Sequence, residues 1–417
     1  MSKYFNSIVV GIDVASEFSI ASALDKEGNV ILSNYRITHN LDSFNMFLDV
    51  ILKISHGQNL VFALESTGVY HMTLTNFLES CNQEVLVINP LITNSNKNNN
   101  IRKVKNDKKD SLAIAKLIKF QDVKFSSIID KDFLELRSLV REYYSFVDSR
   151  AKFKIKLITT LVTHWPGFDK VFYDTCGKAP LLILSKYPSP SSFLKARKSS
   201  VIKVLLASNK GIDWAEDKYS VLHNSSKDAL VISNNINQTT IINSILNTID
   251  SFSSSIELIK KSIDEFILLK ENTQLATDIK LIESIPGCGT VTAATIVSEI
   301  SGFDRFKKPK HLIAFFGLDP AVRESGKFKA DNVNISKRGS RSARRALFTL
   351  ALASIRNGNN PVLRDYYDSK CLSKVKMVAL TNVMHKLVKI IFAVLRNQKD
   401  FELRTNEEHI SEYLIAS

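Results

Sequence analysis

The order of apolar runs over the first 120 residues constrains this chain more than any other feature. IVVGIDV at 8–14, a run at 18–25 and VILSNYRIT at 30–38 each have the β-branched, apolar character of a strand. Lys26-Glu-Gly-Asn29 supplies the turn between the second and third. The first helical spacing comes only after them, over 41–54, where Leu41, Phe44, Phe47, Leu48, Ile51 and Leu52 recur at threes and fours. LVFALES at 60–66 then reads as a buried strand, 70–80 as helix, EVLVINP at 84–90 as strand and 108–120 as helix. The predicted order is βββαβαβα.

Three strands ahead of the αβ alternation is the order of an RNase H-like α/β domain; a Rossmann start would place a helix after the first strand. In that order strands one and four are neighbours. Asp13 ends the first strand and Glu65 the fourth, so their carboxylates are expected side by side. Asp107 and Asp110 open the helix at 108–120, directly after the basic, Asn-rich segment NSNKNNNIRKVK that includes Lys105. Two acids three residues apart share one helix face, with roughly 5–6 Å between Cβ atoms. Four carboxylates brought together suit two divalent ions about 4 Å apart, of the kind that activates an attacking oxygen and stabilises a leaving one. Mg²⁺ suits such all-oxygen ligation, which leaves room for water and phosphate. Taken singly, each acid has a plainer use: Asp107 as a helix N-cap, Asp110 in a favourable dipole position, Asp13 as a turn cap. GIDVASEFS also looks like the first phosphate loop of actin-like kinases, but no further Gly-rich phosphate loop follows it.

The charge points to the partner class. The formal net charge is +14 and the pI about 9.4, an excess that fits a polyanion, most simply nucleic acid. The four cysteines, Cys81, Cys176, Cys288 and Cys371, form no CxxC pair, so neither a zinc ribbon nor a disulfide scaffold is expected and a reducing cytoplasm is the natural setting. The N-terminus has no signal-peptide pattern. The apolar stretch VALTNVMHKLVKIIFAVL carries His385, Lys386 and Lys389 and reads as a core helix; no membrane partner is expected.

The rest of the chain is mainly helical. Residues 132–162 read as one long amphipathic helix. Ile242, Ile245, Ile249, Phe252, Ile256, Ile259, Ile263 and Phe266 follow a coiled-coil spacing. An antiparallel hairpin with the 132–162 helix and a dimer seam both satisfy that pattern. Between them, 163–230 reads as irregular, with Pro166, Pro180, Pro188, Pro190, a serine cluster and room for short helices. Ile285-Pro-Gly-Cys-Gly289 joins two helical stretches as in a helix-hairpin-helix, where Gly287 and Gly289 let the backbone approach a phosphate; a tight turn between packed helices explains the same residues. Arg323, Lys327, Lys329, Lys337, Arg338, Arg341, Arg344 and Arg345 stand against only Glu324 and Asp331, a phosphate-binding composition. Ser325-Gly326 lies inside it. Ser325 there can serve as a phosphoryl-transfer nucleophile with arginines to offset the phosphate charge, or be part of an ordinary turn, and Ser336 and Ser340 are equally placed by charge. His71 and His311 read as structural histidines.

Taken together, VVGIDVASEFS, ALESTGVYHMTLTNFL, EVLVINP, RKVKNDKKDSLAIAKL, IPGCGTVTAATIVSEI, RFKKPKHLIAFFGLDP, ESGKFKADNVNISKRGSRSARRALF and NPVLRDYY resemble the IS110-family transposases, a group that includes IS1111-type elements and Piv-like DNA invertases. The resemblance covers nearly the whole chain. It implies a RuvC-like domain with Asp13, Glu65, Asp107 and Asp110 as its DEDD metal ligands, and Ser325 as the serine thought to join covalently to DNA. It implies DNA cutting and rejoining, homo-oligomers (dimer or tetramer) in which the acidic domain of one subunit meets the serine domain of another, and a structured guide RNA that pairs with donor and target DNA. Asn106 stands where a small hydroxyl residue often precedes the first Asp, and Cys81-Asn82 replaces a common turn glycine. The expected organisation is a RuvC-like domain at 1–130, a helical and coiled-coil region at 131–275, a mainly α C-terminal transposase domain with the helix-hairpin-helix at 276–400, and a polar tail at 401–417. A RuvC-like endonuclease that uses metals and water, with Ser325 structural, is the rival reading. A non-catalytic nucleic-acid-binding protein is a further one, opposed by the intact set of four acids.

Overall fold

The computed structural model describes residues 2–65, 70–88, 107–121, 131–232, 237–321, 324–325, 328–329, 334–356, 358–404 and 408. The chain divides into two compact units, 1–129 and 130–417.

The first unit is built on a five-stranded mixed sheet. Its strands are β1 (Ile8–Val14), β2 (Phe18–Leu24), β3 (Val30–Thr38), β4 (Leu60–Glu65) and β5 (Glu84–Ile88), in the order β3-β2-β1-β4-β5. β2 runs antiparallel to both β1 and β3, while β4 pairs parallel with β1 and β5 with β4. Sequential strands make the antiparallel half; the parallel half needs crossovers, supplied by α1 (Leu41–Ser55) and α2 (His71–Ser80). Strand parity assigns the two faces. Val10, Ile12, Phe62 and Leu64 pack with Phe44, Phe47, Ile51 and Leu74 of α1 and α2. Val9, Val61, Ala63, Leu86 and Ile88 pack with Ile114, Ala115, Leu117 and Ile118 of α3 (Asp107–Phe120) on the opposite face. α1 starts where the Asn40 side chain accepts from the Ser43 amide at 2.8 Å. It stops at His56, a residue with φ of 48°.

Among the described residues, the second unit is helical apart from one small hairpin. α4 (Lys131–His164) is followed by five helices, α5 (Phe168–Val171), α6 (Lys178–Lys186), α7 (Pro190–Leu194), α8 (Lys198–Leu206) and α9 (Ile212–Ile232), and then by α10 (Asn237–Leu269). α4 and α10 lie antiparallel: Asp132 pairs with Lys270 at 2.8 Å at one end, Arg150 donates to Ser253 at 3.2 Å, and Leu157 and Leu161 share a core with Ile242 and Ile245 at the other. Phe252 sits between Phe146 and Phe153, with ring centroids 5.9 and 5.7 Å away. The apolar stripe of α10 is therefore filled by α4 of the same chain, which is the hairpin alternative of the two that its spacing allows.

The stretch 163–230, expected to be irregular with room for short helices, is folded into helices. Trp165, Phe168, Phe172, Ile183, Tyr187, Phe193, Val201 and Leu222 form a core continuous with the far end of the α4/α10 hairpin. Four of its helices have nine residues or fewer, α9 has 21, and proline falls where it is tolerated. Pro190 is the first residue of α7, behind a Ser189/Ser192 capping box. Residues that read as loop punctuation are helix starts.

The remaining helices are α11 (Gln274–Glu283), α12 (Thr290–Ile300), α13 (Pro309–Phe315), α14 (Arg341–Ser354), α15 (Pro361–Cys371) and α16 (Lys376–Asn397). They bury one large core together with the near end of the hairpin: Leu136, Val140 and Ile263 with Ile282, Ala293, Leu347, Val383 and Ile391. α16 is long and apolar enough to cross a membrane, and it buries Val383, Leu387, Val388 and Ile391 in this core. Between α13 and α14, the two-residue strands β6 (Glu324–Ser325) and β7 (Phe328–Lys329) pair antiparallel.

Candidate active site

The sheet register places the first two acids. Ile12 lies opposite Leu64 on parallel neighbours, so Asp13 and Glu65, the next residue on each strand, end β1 and β4 side by side. By parity with Val9, Val61 and Ala63 both belong to the face that α3 covers. Glu65 is buried at 6% exposure and Asp13 is half-buried.

Packing then orients α3. Lys119, near its C-terminus, is fully buried and donates to the carbonyls of Phe5 and Ser7, both at 2.8 Å, just before β1 begins. A Cβ on Gly11 would lie 2.2 Å from the Ser111 carbonyl oxygen and 2.4 Å from the Ala115 nitrogen. Ser111 Oγ is hydrogen-bonded to Ser22 Oγ at 2.9 Å, and Ser22 is the register partner of Gly11. α3 therefore runs antiparallel to β1 and in direct backbone contact with it. From Ser7 to Gly11 the facing helix residue steps back from Lys119 to Ser111. One further turn toward its N-terminus brings Asp110 and Asp107 over the strand ends that carry Asp13 and Glu65. Asp110 is half-buried. Asp107 is described by its helical position only.

The donor chemistry and this placement fit a hard divalent cation, which takes carboxylate oxygens. Among the described residues, no three His, Cys, Asp or Glu side chains are gathered closely enough to hold a metal as they stand. The backbone arranges two acids on the sheet and two on the helix that crosses it.

In the second unit, α11 and α12 are joined by Pro286-Gly-Cys-Gly289. Gly287 has φ of 89°, and a Cβ there would lie 3.1 Å from Ala353 Cβ and 3.2 Å from the Ala353 carbonyl carbon. Its need for glycine thus has a local cause, close packing against the end of α14. Gly289 precedes α12 with open space around its Cα and no side chain capping the helix. Burial pushes the nearby Cys288 thiol up to about 12.

Ser325 lies in the short hairpin, where it pairs with Phe328. A second pairing, Pro320 with Ile335, nests outside the first. The base is fastened by Ser336 Oγ donating to Asp319 Oδ1 at 2.6 Å, the Lys337 amide to the Gly317 carbonyl at 3.0 Å, and His385 Nε2 against the Leu318 carbonyl at 3.0 Å. A Cβ on Gly339 would lie 1.8 Å from the Phe315 carbonyl oxygen, so only glycine allows the two limbs to meet. Ser336 thus has a structural bond, and Ser340 N-caps α14 by accepting from Ala343. Neither Asp319 nor His385 had a sequence signal, because their work is to hold a loop that pattern alone does not reveal.

The proposed cations divide. Lys337, Arg338 and Arg341 are exposed. Arg344 points inward, donating to the carbonyls of Phe316 at 3.1 Å and Gly339 at 3.4 Å. Arg345 pairs with Asp148 of α4 at 2.8 Å and stacks over the Tyr144 ring at 4.4 Å. Lys105, Arg323 and Lys327 lie outside the described residues, and Ser325 is described by its strand position only.

Two family models match the chain. One, described as a transposase and covering the DEDD domain of IS110 elements, matches residues 10–166. The other, the transposase IS116/IS110/IS902 family, matches residues 279–368. An uncharacterized 44.8 kDa protein of insertion element IS116 from Streptomyces clavuligerus is 22% identical over 417 residues, 96% of this chain and 98% of that protein. The transposase of IS1111A from Coxiella burnetii is 31% identical over 138 residues, 32% of this chain and 37% of that one. A pilin gene-inverting protein from Moraxella bovis is 29% identical over 128 residues, 30% of this chain and 39% of that one. With one model over the acidic sheet domain and another over the segment holding α12, the hairpin and α14, this chain belongs to the IS110 family of transposases.

Proposed function

We propose that this transposase cuts and rejoins DNA through one reaction shared by Asp13, Glu65, Asp107 and Asp110 and by Ser325. The observation that supports the reading is that α3 runs antiparallel over β1, so that its first turn, with Asp107 and Asp110, lies toward the strand ends that carry Asp13 and Glu65. Carboxylates gathered at strand ends have little value for stability, and their donor chemistry suits a pair of divalent ions, here Mg²⁺. When bound, the metal supplies Lewis-acid stabilisation of charge on the scissile phosphate. The chain's own residues do the rest. The acids would hold the metal beside the phosphate; Ser325 Oγ bonds to phosphorus as the bond to the sugar oxygen breaks, and the proton lost by the serine hydroxyl is balanced by the one the leaving oxygen takes up. A second transfer reverses the link onto a new sugar hydroxyl and releases the serine.

Gly287, Gly289, Lys337, Arg338 and Arg341 provide phosphate contacts that position DNA without reading its sequence, with Lys105, Arg323 and Lys327 adding to that surface. Sequence choice then falls to a structured guide RNA, a partner that the basic surface accommodates, and the chain acts as a homo-oligomer. The 1–129 unit works as a RuvC-like nuclease domain and α11–α12 as a helix-hairpin-helix. The test is strand cutting of donor DNA in the presence of guide RNA across a Mg²⁺ titration. Asp13→Asn and Glu65→Gln are expected to bind DNA as the parent does and to cut at background. Cutting that survives either substitution would refute the acid site.

A further inference from the structure

Arg341, Arg344 and Arg345 occupy the first two turns of α14, and no acid shares the first turn with them. Three cations at the positive end of a helix oppose the macrodipole, so each needs another source of negative charge. Arg344 finds it in two carbonyls, and Arg341 is exposed. Arg345 takes the Asp148 carboxylate at 2.8 Å, with its guanidinium carbon 4.4 Å from the centre of the Tyr144 ring. Tyr144 is itself fixed, since its hydroxyl bonds with Thr295 of α12. Yet the Asp148–Arg345 pair is open to solvent, with side chains 46% and 33% exposed. An exposed pair of this kind contributes little to stability and separates readily. Arg341 and Arg345, four residues apart, face the same side of α14.

We infer that Asp148 is a built-in competitor for phosphate. It holds Arg345 on the Tyr144 platform until a nucleic-acid phosphate displaces it, so that only a backbone also engaged by Arg341 and its neighbours wins the guanidinium. Asp148 is thus a positioning residue that lowers affinity for poorly fitted nucleic acid and raises discrimination. Tyr144 keeps the guanidinium plane oriented during the exchange, because stacking on the ring survives a change of anion. The inference rests on the reading of 336–345 as a nucleic-acid surface.

The test measures binding of the full chain to a short labelled duplex of arbitrary sequence, between about 50 and 200 mM salt. Asp148→Asn keeps the shape and removes the charge. It is expected to tighten binding by about threefold to fivefold, the loss of one exposed ion-pair competitor. It is also expected to steepen the logarithmic salt dependence by about 0.9, the release of one more counterion. Asp148→Ala gives the same two changes by another route and guards against misfolding of the first variant. In an Arg345→Gln background neither substitution at Asp148 changes affinity or slope. A purely structural pair would instead leave affinity and slope unmoved in both Asp148 variants while Arg345→Gln weakens binding, and that result overturns the inference. Weaker binding by the Asp148 variants overturns it as well. If Arg338→Gln with Arg341→Gln binds as the parent does, the surface reading itself has failed, and the inference falls with it.

Discussion

At the scale of single residues, the acid site depends on a glycine as much as on its carboxylates. Gly11 lets α3 lie directly on β1, and the close approach of the Ser111 and Ala115 backbones leaves no room for a methyl group. Gly11→Ala is expected to cost about 1–3 kcal/mol by overpacking. It should also lower cutting beyond that loss, because the helix it displaces carries Asp107 and Asp110; thermal midpoint and cutting rate measured together check this. Cys288 offers a second residue-level test. Its thiol, raised by burial from 9.0 to about 12, favours the protonated form in the folded state. The associated stability is present below pH 9 and is lost as pH climbs toward 12. At pH 8 the native thiol should resist alkylation that the unfolded chain undergoes, as read by mass spectrometry; equal rates in the two states would contradict the assignment. Residues also mark where sequence reading stops. Arg344 and Arg345 were as basic in the sequence as Arg338 and Arg341, but composition cannot say whether a guanidinium faces solvent, a carbonyl or a carboxylate.

At the scale of elements, periodicity was informative wherever one face of an element is buried. The strand order and the long helices were legible for that reason, and α10 showed its stripe plainly. Its partner was not legible, since the same spacing fits α4 or a second chain. Within 163–230 only possible short helices were legible: four of the five helices are too short for their spacing to stand out, Pro190 sits at a helix start rather than a break, and the 21 residues of α9 gave no clear stripe. The join between α4 and α12 was invisible as well. Glu299, 3% exposed, accepts from Arg141 at 2.7 and 3.0 Å and faces Arg137 at 4.0 Å, while Arg137 also donates to the Ser298 carbonyl. Glu299→Ala leaves two arginines without their counter-charge. With Arg141 half exposed, the change is expected to cost about 1.5–3 kcal/mol, the value of hydrogen bonds to a charged group, a loss readable in denaturant unfolding. A cost below about 1 kcal/mol, the value of an exposed pair, would show that the network is solvated.

At the scale of the whole molecule, the proposed reaction draws different chemistry from each of the two units. The sheet unit places hard oxygen donors, and the helical unit places a serine hairpin whose base is tied by Asp319, Ser336, Gly339 and His385. Chelation of divalent metal is expected to stop cutting while leaving salt-dependent DNA binding in place, since the basic residues and not the acids supply affinity. The central claim is that acids and serine act in one reaction. The most direct measurement incubates the full chain with its DNA, guide RNA and Mg²⁺, denatures the mixture, and maps any DNA-linked peptide by mass spectrometry. The account predicts a phosphodiester link on Ser325 in the parent protein and none in Ser325→Ala or Asp13→Asn. Strand exchange by Ser325→Ala, or cutting by the parent with no covalent link, would contradict it.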